Sequence, residues 1–217
     1  VLIDAIEWLG HSGFRITAGR ARVYIDPYRV PASAPPADLI LITHGHYDHF
    51  SPQDVERLTS PSTEVIAPAQ VAERLAGRVR RAAAGDDLDP ESVRGVSVRA
   101  VAAYNTSKRG GDGRVFHPRE AGGLGYEVNV RGERVYHAGD TDVIPEMDDV
   151  AGVDVALLPV SGTYVMTAGE AAEAARRIQP RVAVPMHWGD LLGTREDALA
   201  FQRQAPVPVT IMEKADG

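Results

Sequence analysis

The segment THGHYDHF, residues 43–50, places His44, His46, Asp48 and His49 within six positions, directly behind the apolar run LILI. Imidazoles and a carboxylate at that density can hold a metal ion or exchange protons. As an ordinary wet loop they would crowd groups whose cationic forms repel one another. His44 and His46 are two apart, so in an extended segment both face one side and can converge on a single ion. Asp48 and His49 follow the turn and can serve an adjacent one. Three more metal-capable groups come just after apolar runs: Asn105 after VAAY, Asp140 after RVYHAG and His187 after VAVPM. Strand ends that open into loops are where α/β folds gather ligands, because the sheet fixes the donors while the loops reach inward.

Composition limits the chemistry. The 217 residues carry a formal net charge of −7, with 44% apolar and 24% charged residues, a profile of one substantial globular domain spanning 1–217. The acidic balance disfavours nucleic acid as a partner but leaves room for a small-molecule substrate, including an anionic one, because a bound cation inverts the charge of one pocket. Cysteine is absent, which excludes disulfides, iron–sulfur ligation and thiol nucleophiles and leaves nitrogen and oxygen donors for any metal. One or two divalent ions are expected, zinc first, with manganese or iron as alternatives. Apolar runs are too short to cross a bilayer, and VLIDAIEWLG has neither the basic start nor the long apolar core of a signal peptide, so no membrane partner and a cytoplasmic location are expected. A homo-oligomer is compatible with this composition. KRGGDG lacks the spacing of a nucleotide loop, and Ser161 in LPVSGTY lacks that of a nucleophile elbow.

The elements that must position these groups alternate between strand and helix. Short strands are predicted over IEWLGHSGFRITAGRARVYIDPY, turning at Gly10–Gly13 and Gly19, and from about Asp38 to Thr43. A helix is predicted from SPQDVERL, with Ser51 as cap and Pro52 in the first turn. TEVIAP reads as a strand, QVAERLAG as helical, and GVSVRAVAAYN as a strand ending at Asn105. A long loop follows to Gly123. GYEVNVRGERVYH gives two strands joined at Arg131–Glu133, VDVALLPV another, and TAGEAAEAARRI the strongest helix, with Thr167 and Glu170 as a capping-box pair. RVAVPM is a strand, Thr194 with Asp197 opens a further helix, and VPVTIM closes as a strand. Such alternation implies sheet with helices outside it.

HGHYDH, residues 44–49, resembles the H-x-H-x-D-H signature of the metallo-β-lactamase superfamily of metal-dependent hydrolases. HAGDTD (137–142) is similar to its G-D-T segment and PMHWGD (185–190) to its final metal-histidine segment. WLGHSGF and ALLPVSGTYVMTAGEAAEAA are similar to the small branch that includes ascorbate-6-phosphate-lactonase-like proteins. The resemblance covers almost the whole chain. It implies an α/β, four-layer αββα sandwich with the metals at one sheet edge. It further implies one ion on His44, His46 and a third histidine, a second on Asp48, His49 and His187, and Asp140 bridging. The sequence departs at the third histidine, where YNTS presents Asn105. Three readings stand open: Asn105 is a weak ligand or holds the metal-bound water; His117 in FHPRE replaces the missing imidazole; or the first site is depleted. Asp48, Asp140 and His117 are the residues expected to take part in catalysis.

The expected reaction is hydrolysis of a small-molecule lactone or ester by metal-activated water. Phosphodiester or nuclease action and thiolester hydrolysis are alternatives, and a metal-binding protein without turnover is the contrasting class. Around this set, His11 is expected either near the site, ordering its ligands, or in a plain structural role; His137 either supports a ligand or is a buried strand residue; and Asp26 either orients a histidine or closes the turn before Pro27. Lys108 and Arg109 either meet an anionic group or, more in keeping with such charges, form a solvated basic patch. Tyr164 and Trp188 either wall the substrate or, as aromatics at such positions more often do, simply pack.

Overall fold

The computed structural model describes residues 2–215; Val1 and residues 216–217, the outermost positions of the expected domain, lie outside them. The first sheet runs in spatial order β1 (Ile6–Gly10), β2 (Gly13–Ala18), β3 (Ala21–Ile25), β4 (Leu39–Leu41), β5 (Glu64–Pro68) and β6 (Val79–Ala82). The second contains β7 (Asp87–Leu88), β8 (Val96–Ala102), β9 (Leu124–Val130), β10 (Glu133–His137), β11 (Val155–Pro159) and β12 (Val182–Met186), adjacent in that order. Each sheet is antiparallel through one hairpin-linked half and parallel through the other: β3 to β6 in the first, β10 to β12 in the second.

Side-chain alternation makes the layers. Leu39 and Leu41 of β4 join a core shared with Val98, Ala100 and Tyr126 of the second sheet. Ile40 and Ile42 point the other way, into a separate cluster with Val55, Leu58 and Val71, which belong to α1 (Pro52–Leu58) and α2 (Ala69–Ala72). The outer face of the second sheet is covered by α3 (Ala168–Ile178), whose Ala171, Ala174, Ala175 and Ile178 are fully buried, and by α4 (Arg195–Gln204). Period-two strands with both faces apolar, flanked by amphipathic helices, have only this way to bury every apolar face. The αββα sandwich is the fold the resemblance implies.

The capping chemistry holds as read. Asp54 N donates to Ser51 Oγ, and Thr167 and Glu170 exchange bonds of 2.7 and 3.2 Å at the start of α3. Several element boundaries differ. α2 is a single turn, whereas 70–77 reads as helical; its cap position is Pro68, which supplies no side-chain acceptor. The strand expected to reach Asn105 ends at Ala102, and that expected over 38–43 is only Leu39–Leu41. VPVTIM is not a strand: Val209 meets Ala183 in one isolated bridge, with Pro206 and Pro208 removing donors a ladder needs. The half-exposed β6 and the two-residue β7 carry no periodic signal and were not expected. No helix among the described residues is long and apolar enough to cross a membrane.

Candidate metal centre

The two sheets deliver their polar residues to a single edge. β4 runs into His44 and His46, β3 ends at Asp26, β10 leads to Asp140 and β12 to His187. The sheets are pinned together there: Leu124 N donates to Thr43 O at 2.9 Å and Tyr126 Oη to Ile42 O at 2.8 Å. Gly139, just before Asp140, has φ +65°, and a Cβ on it would lie 2.5 Å from Leu124 O. Only glycine lets the chain turn Asp140 inward at that point.

Two groups of donors meet at Asp140. In the first, His46 Nδ1 lies 3.1 Å from both His44 Nε2 and His117 Nε2. Asp140 Oδ2 is 3.8 Å from His44 Nε2 and 3.4 Å from His117 Nε2. In the second, His187 Nε2 lies 3.3 Å from Asp140 Oδ2 and 4.0 Å from Asp48 Oδ2. His49 Nε2 lies 3.8 Å from Asp48 Oδ2 and 3.1 Å from Asp140 Oδ1. That last pair is within ion-pair distance but is not aligned as a hydrogen bond, and His49 Nε2, Asp140 Oδ1 and His187 Nε2 are all buried without a hydrogen-bond partner. Buried, converging and unpartnered lone pairs are costly unless something binds them. The donor set therefore fits divalent metal, with three imidazoles, those of His44, His46 and His117, in the first group.

The far nitrogen of each buried ligand candidate is already committed. His49 Nδ1 donates to Asp26 Oδ2 at 2.7 Å, and His117 Nδ1 donates to Asn105 Oδ1 at 2.8 Å. Thr43 Oγ1 donates to Asp26 Oδ2 at 2.6 Å, so its lone pairs face His44 Nδ1 at 3.0 Å. His187 Nδ1 lies 3.0 Å from Ser161 Oγ. A carboxylate or amide oxygen only accepts, so in His49 and His117 Nδ1 keeps its proton and Nε2 is the nitrogen aimed at the centre. Sequence reading assigned no such role to Thr43 or Ser161, although Ser161 shares the strand-end signal that singled out Asp140 and His187.

Asn105 stands behind His117. Its Oδ1 accepts from both the backbone N–H (3.0 Å) and Nδ1 of His117, while Nδ2 donates to Asp142 Oδ1 and Tyr164 O, each at 3.0 Å. Every polar atom of the amide is engaged, so the side chain orients His117 instead of facing the donors. His117, from the loop, is the third imidazole beside His44 and His46. Asp142 also accepts from Thr106 N and Ser107 N, each at 2.8 Å, and these bonds outweigh its partial burial, holding its pKa low. Lys108 and Arg109 do not face the cleft as free cations. Lys108 Nζ lies 2.7 Å from both Glu170 oxygens, and Arg109 Nη1 donates to Gly113 O at 2.9 Å.

Charge follows this wiring. Burial opposes ionisation of Asp140, but His187 and His49 outweigh it and hold the carboxyl well below its usual range. Burial likewise opposes a charged His49, yet the flanking Asp140 and Asp26 hold its pKa well above the ordinary value, so a bound ion would displace a proton from its Nε2. Burial pushes His44 and His117 down, favouring the neutral form a metal requires. Asp48 is held low, against its burial, chiefly by His11, whose Nε2 lies 3.0 Å away.

His11, Asp26 and His187 all have positive φ (50°, 45° and 59°). Such conformations persist where neighbours over-determine them. Here His187 N donates to His11 O and Asp26 N to Leu41 O. His11 and His187 fall in one donor group with Asp48 and His49, so His11 stands closer to the centre than a purely outer role requires. His137 spends both nitrogens on backbone, Nε2 on Ser12 O at 2.8 Å and Nδ1 on Gly139 N at 3.1 Å, and is structural. Trp188 packs on Trp8 at 4.7 Å and is buried, so it is not a substrate wall; Tyr164 lines the cleft.

Comparison with known proteins gives the family. Residues 5–187 match the family described as beta-lactamase superfamily domain. A metal-dependent hydrolase of Methanopyrus kandleri is 31% identical over 97% of this chain and 97% of its own. One of Thermococcus onnurineus is 35% identical over 84% of each. Among solved structures, a protein from Parabacteroides distasonis described as a metal-dependent hydrolase superposes with TM-score 0.84 at 34% identity, covering 97% of this chain and 93% of that one.

Proposed function

The chain belongs to the beta-lactamase superfamily and is a metal-dependent hydrolase; from that premise we propose that it cleaves a small-molecule ester or lactone at a dinuclear centre. The observation that carries the reading is the convergence of imidazole nitrogens on Asp140 with their far nitrogens already bonded. His44, His46 and His117 would hold one ion, Asp48, His49 and His187 the other, and Asp140 would touch both. Zinc suits this set best, since imidazole dominates, and the missing sulfur leaves manganese or iron(II) as alternatives. A divalent ion held there polarises the substrate's carbonyl oxygen and lowers the pKa of water.

The chain's own residues do the remaining work. Asp26, Asn105, Thr43 and Ser161 fix the imidazole orientations, and such outer partners are typically worth about 10–100-fold in metal affinity or activity. His11 holds Asp48 in place through the 3.0 Å contact. No side-chain nucleophile is required. The test is to strip the protein with chelator, reload it separately with zinc, manganese and iron(II), and assay a lactone, a phenyl ester, a thiolester and bis-p-nitrophenyl phosphate. Stripping is expected to lower turnover by at least ~100-fold, with reloading restoring it. Ester or lactone should exceed phosphodiester in kcat/KM; the opposite order would replace this substrate class with phosphodiesters.

A further inference from the structure

The cleft over Asp140 has two lobes. The narrower, about 210 Å³, runs between Gln70, Ala103, Pro118, Ala121 and Leu124. The wider, about 330 Å³, is walled by Tyr47, Tyr164 and Leu192. Both lobes share His46, His117 and Asp140, and both share Phe116. The Phe116 ring stands edge-on to Tyr164 with centroids 4.7 Å apart, at the junction where the lobes meet the donor groups.

Neither lobe has a lysine or arginine among its lining residues. The basic side chains of the surrounding segments are engaged elsewhere. Lys108 is paired with Glu170. Arg119 bonds Glu146 at 2.6 Å and lies over the Tyr104 ring at 5.0 Å. Arg74 reaches the Gly45 edge of the narrower lobe but stacks on Phe50 at 4.7 Å. Asp48 faces the wider lobe. A negatively charged substituent in either lobe, away from the metal centre, would lose hydration with no lysine or arginine in the walls to replace it. An apolar one would bury its surface against aromatic and aliphatic walls.

We infer that the substrate is uncharged and carries apolar groups on both sides of the cleaved bond, the smaller in the narrow lobe and the larger in the wide one, with Phe116 as the divider that sets their sizes. This rests on the hydrolase reading above. For an ester, water adds to the acyl carbon and the acyl C–O bond breaks. The water oxygen stays with the carboxylic acid, and one of its protons leaves with the alcohol. No oxidant or co-reactant is needed.

Binding and turnover test this separately. Calorimetry on zinc-loaded protein would compare acetohydroxamic acid, phenylacetohydroxamic acid and 4-carboxyphenylacetohydroxamic acid, which share one zinc-binding group. The phenyl compound is expected to bind roughly tenfold or more tighter than the acetyl one, and the added carboxylate to remove that gain. Phe116→Ala should shrink the phenyl-to-acetyl preference below about threefold, and Leu192→Arg should raise affinity for the carboxylated compound. In turnover, benzyl propionate should exceed both methyl propionate and benzyl formate in kcat/KM by roughly tenfold. A carboxylated hydroxamate that binds wild-type protein as tightly as the phenyl compound would overturn the uncharged class. Equal kcat/KM for one-armed and two-armed esters would overturn the two-lobe assignment, and an unchanged preference in Phe116→Ala would overturn the divider. Protein that carries zinc but binds none of the hydroxamates would overturn the hydrolase reading itself, and this inference with it.

Discussion

Asp140→Ala is expected to lower kcat/KM on the order of a thousandfold, about 4 kcal/mol of lost transition-state stabilisation, and to leave at most one ion bound per chain. The reason is position. Asp140 is the carboxylate whose oxygens approach both donor groups, at 3.4 Å from His117 Nε2 and 3.3 Å from His187 Nε2 through Oδ2 and 3.1 Å from His49 Nε2 through Oδ1. Without it the two sets of imidazoles face each other with no anion between them, and the lone pairs it helped organise have lost their common partner. Asp140→Asn keeps the shape and removes the charge, so it should lose metal as well, though less completely. Elemental analysis of the purified variants, read beside their kcat/KM, checks this. Two ions retained by Asp140→Ala would mean that the carboxylate does not join the groups.

The second large effect is expected at a residue that touches no metal. Asn105→Ala removes four hydrogen bonds at once and leaves Asp142 Oδ1, Tyr164 O and both His117 N–H groups without their partner. Stranded buried polar groups cost about 1–3 kcal/mol each, so the variant should unfold at clearly lower temperature. The freed His117 should also weaken metal binding by roughly 10–100-fold. Asn105→Asp separates the two consequences. It keeps an acceptor for His117 Nδ1 but sets a second buried carboxylate against Asp142, so stability should fall further while metal affinity falls less. Competition with a chromogenic chelator, alongside thermal unfolding, reads both quantities. Wild-type metal affinity in Asn105→Ala would show that His117 is held in place by something else.

The contrast between Asn105 and His44 explains what the sequence could reveal. His44, His46, Asp48 and His49 lie close together behind an apolar strand, so short-range spacing alone puts His44 and His46 on one face and leaves Asp48 and His49 for an adjacent ion. Asp140 and His187 are found by the same strand-end logic, because a parallel sheet brings the ends of its strands to one edge whatever their separation in sequence. The capping box at Thr167 is equally local. His117 is different. It reaches the site because the loop doubles back until Asn105 N donates to His117 O at 2.8 Å while the Asn105 amide grips the His117 backbone and ring. No periodicity encodes that closure; it depends on Asp142, a residue of another loop, accepting from Thr106 and Ser107. The same blindness to distant partners made Lys108 look available, when Glu170, 62 residues away, neutralises it. At the edges of the fold, one-turn α2 and two-residue β7 are too short for any pattern to emerge above their neighbours.

The most direct test of the dinuclear centre is anomalous-difference diffraction from crystals of metal-loaded protein. Two peaks are expected beside Asp140. One should lie within about 2.0–2.2 Å of the ring nitrogens of His44, His46 and His117, and the other at that distance from His49 and His187. A single peak near His49 and His187, with His117 beyond coordination distance and Asn105 Oδ1 turned away from the ring, would contradict it.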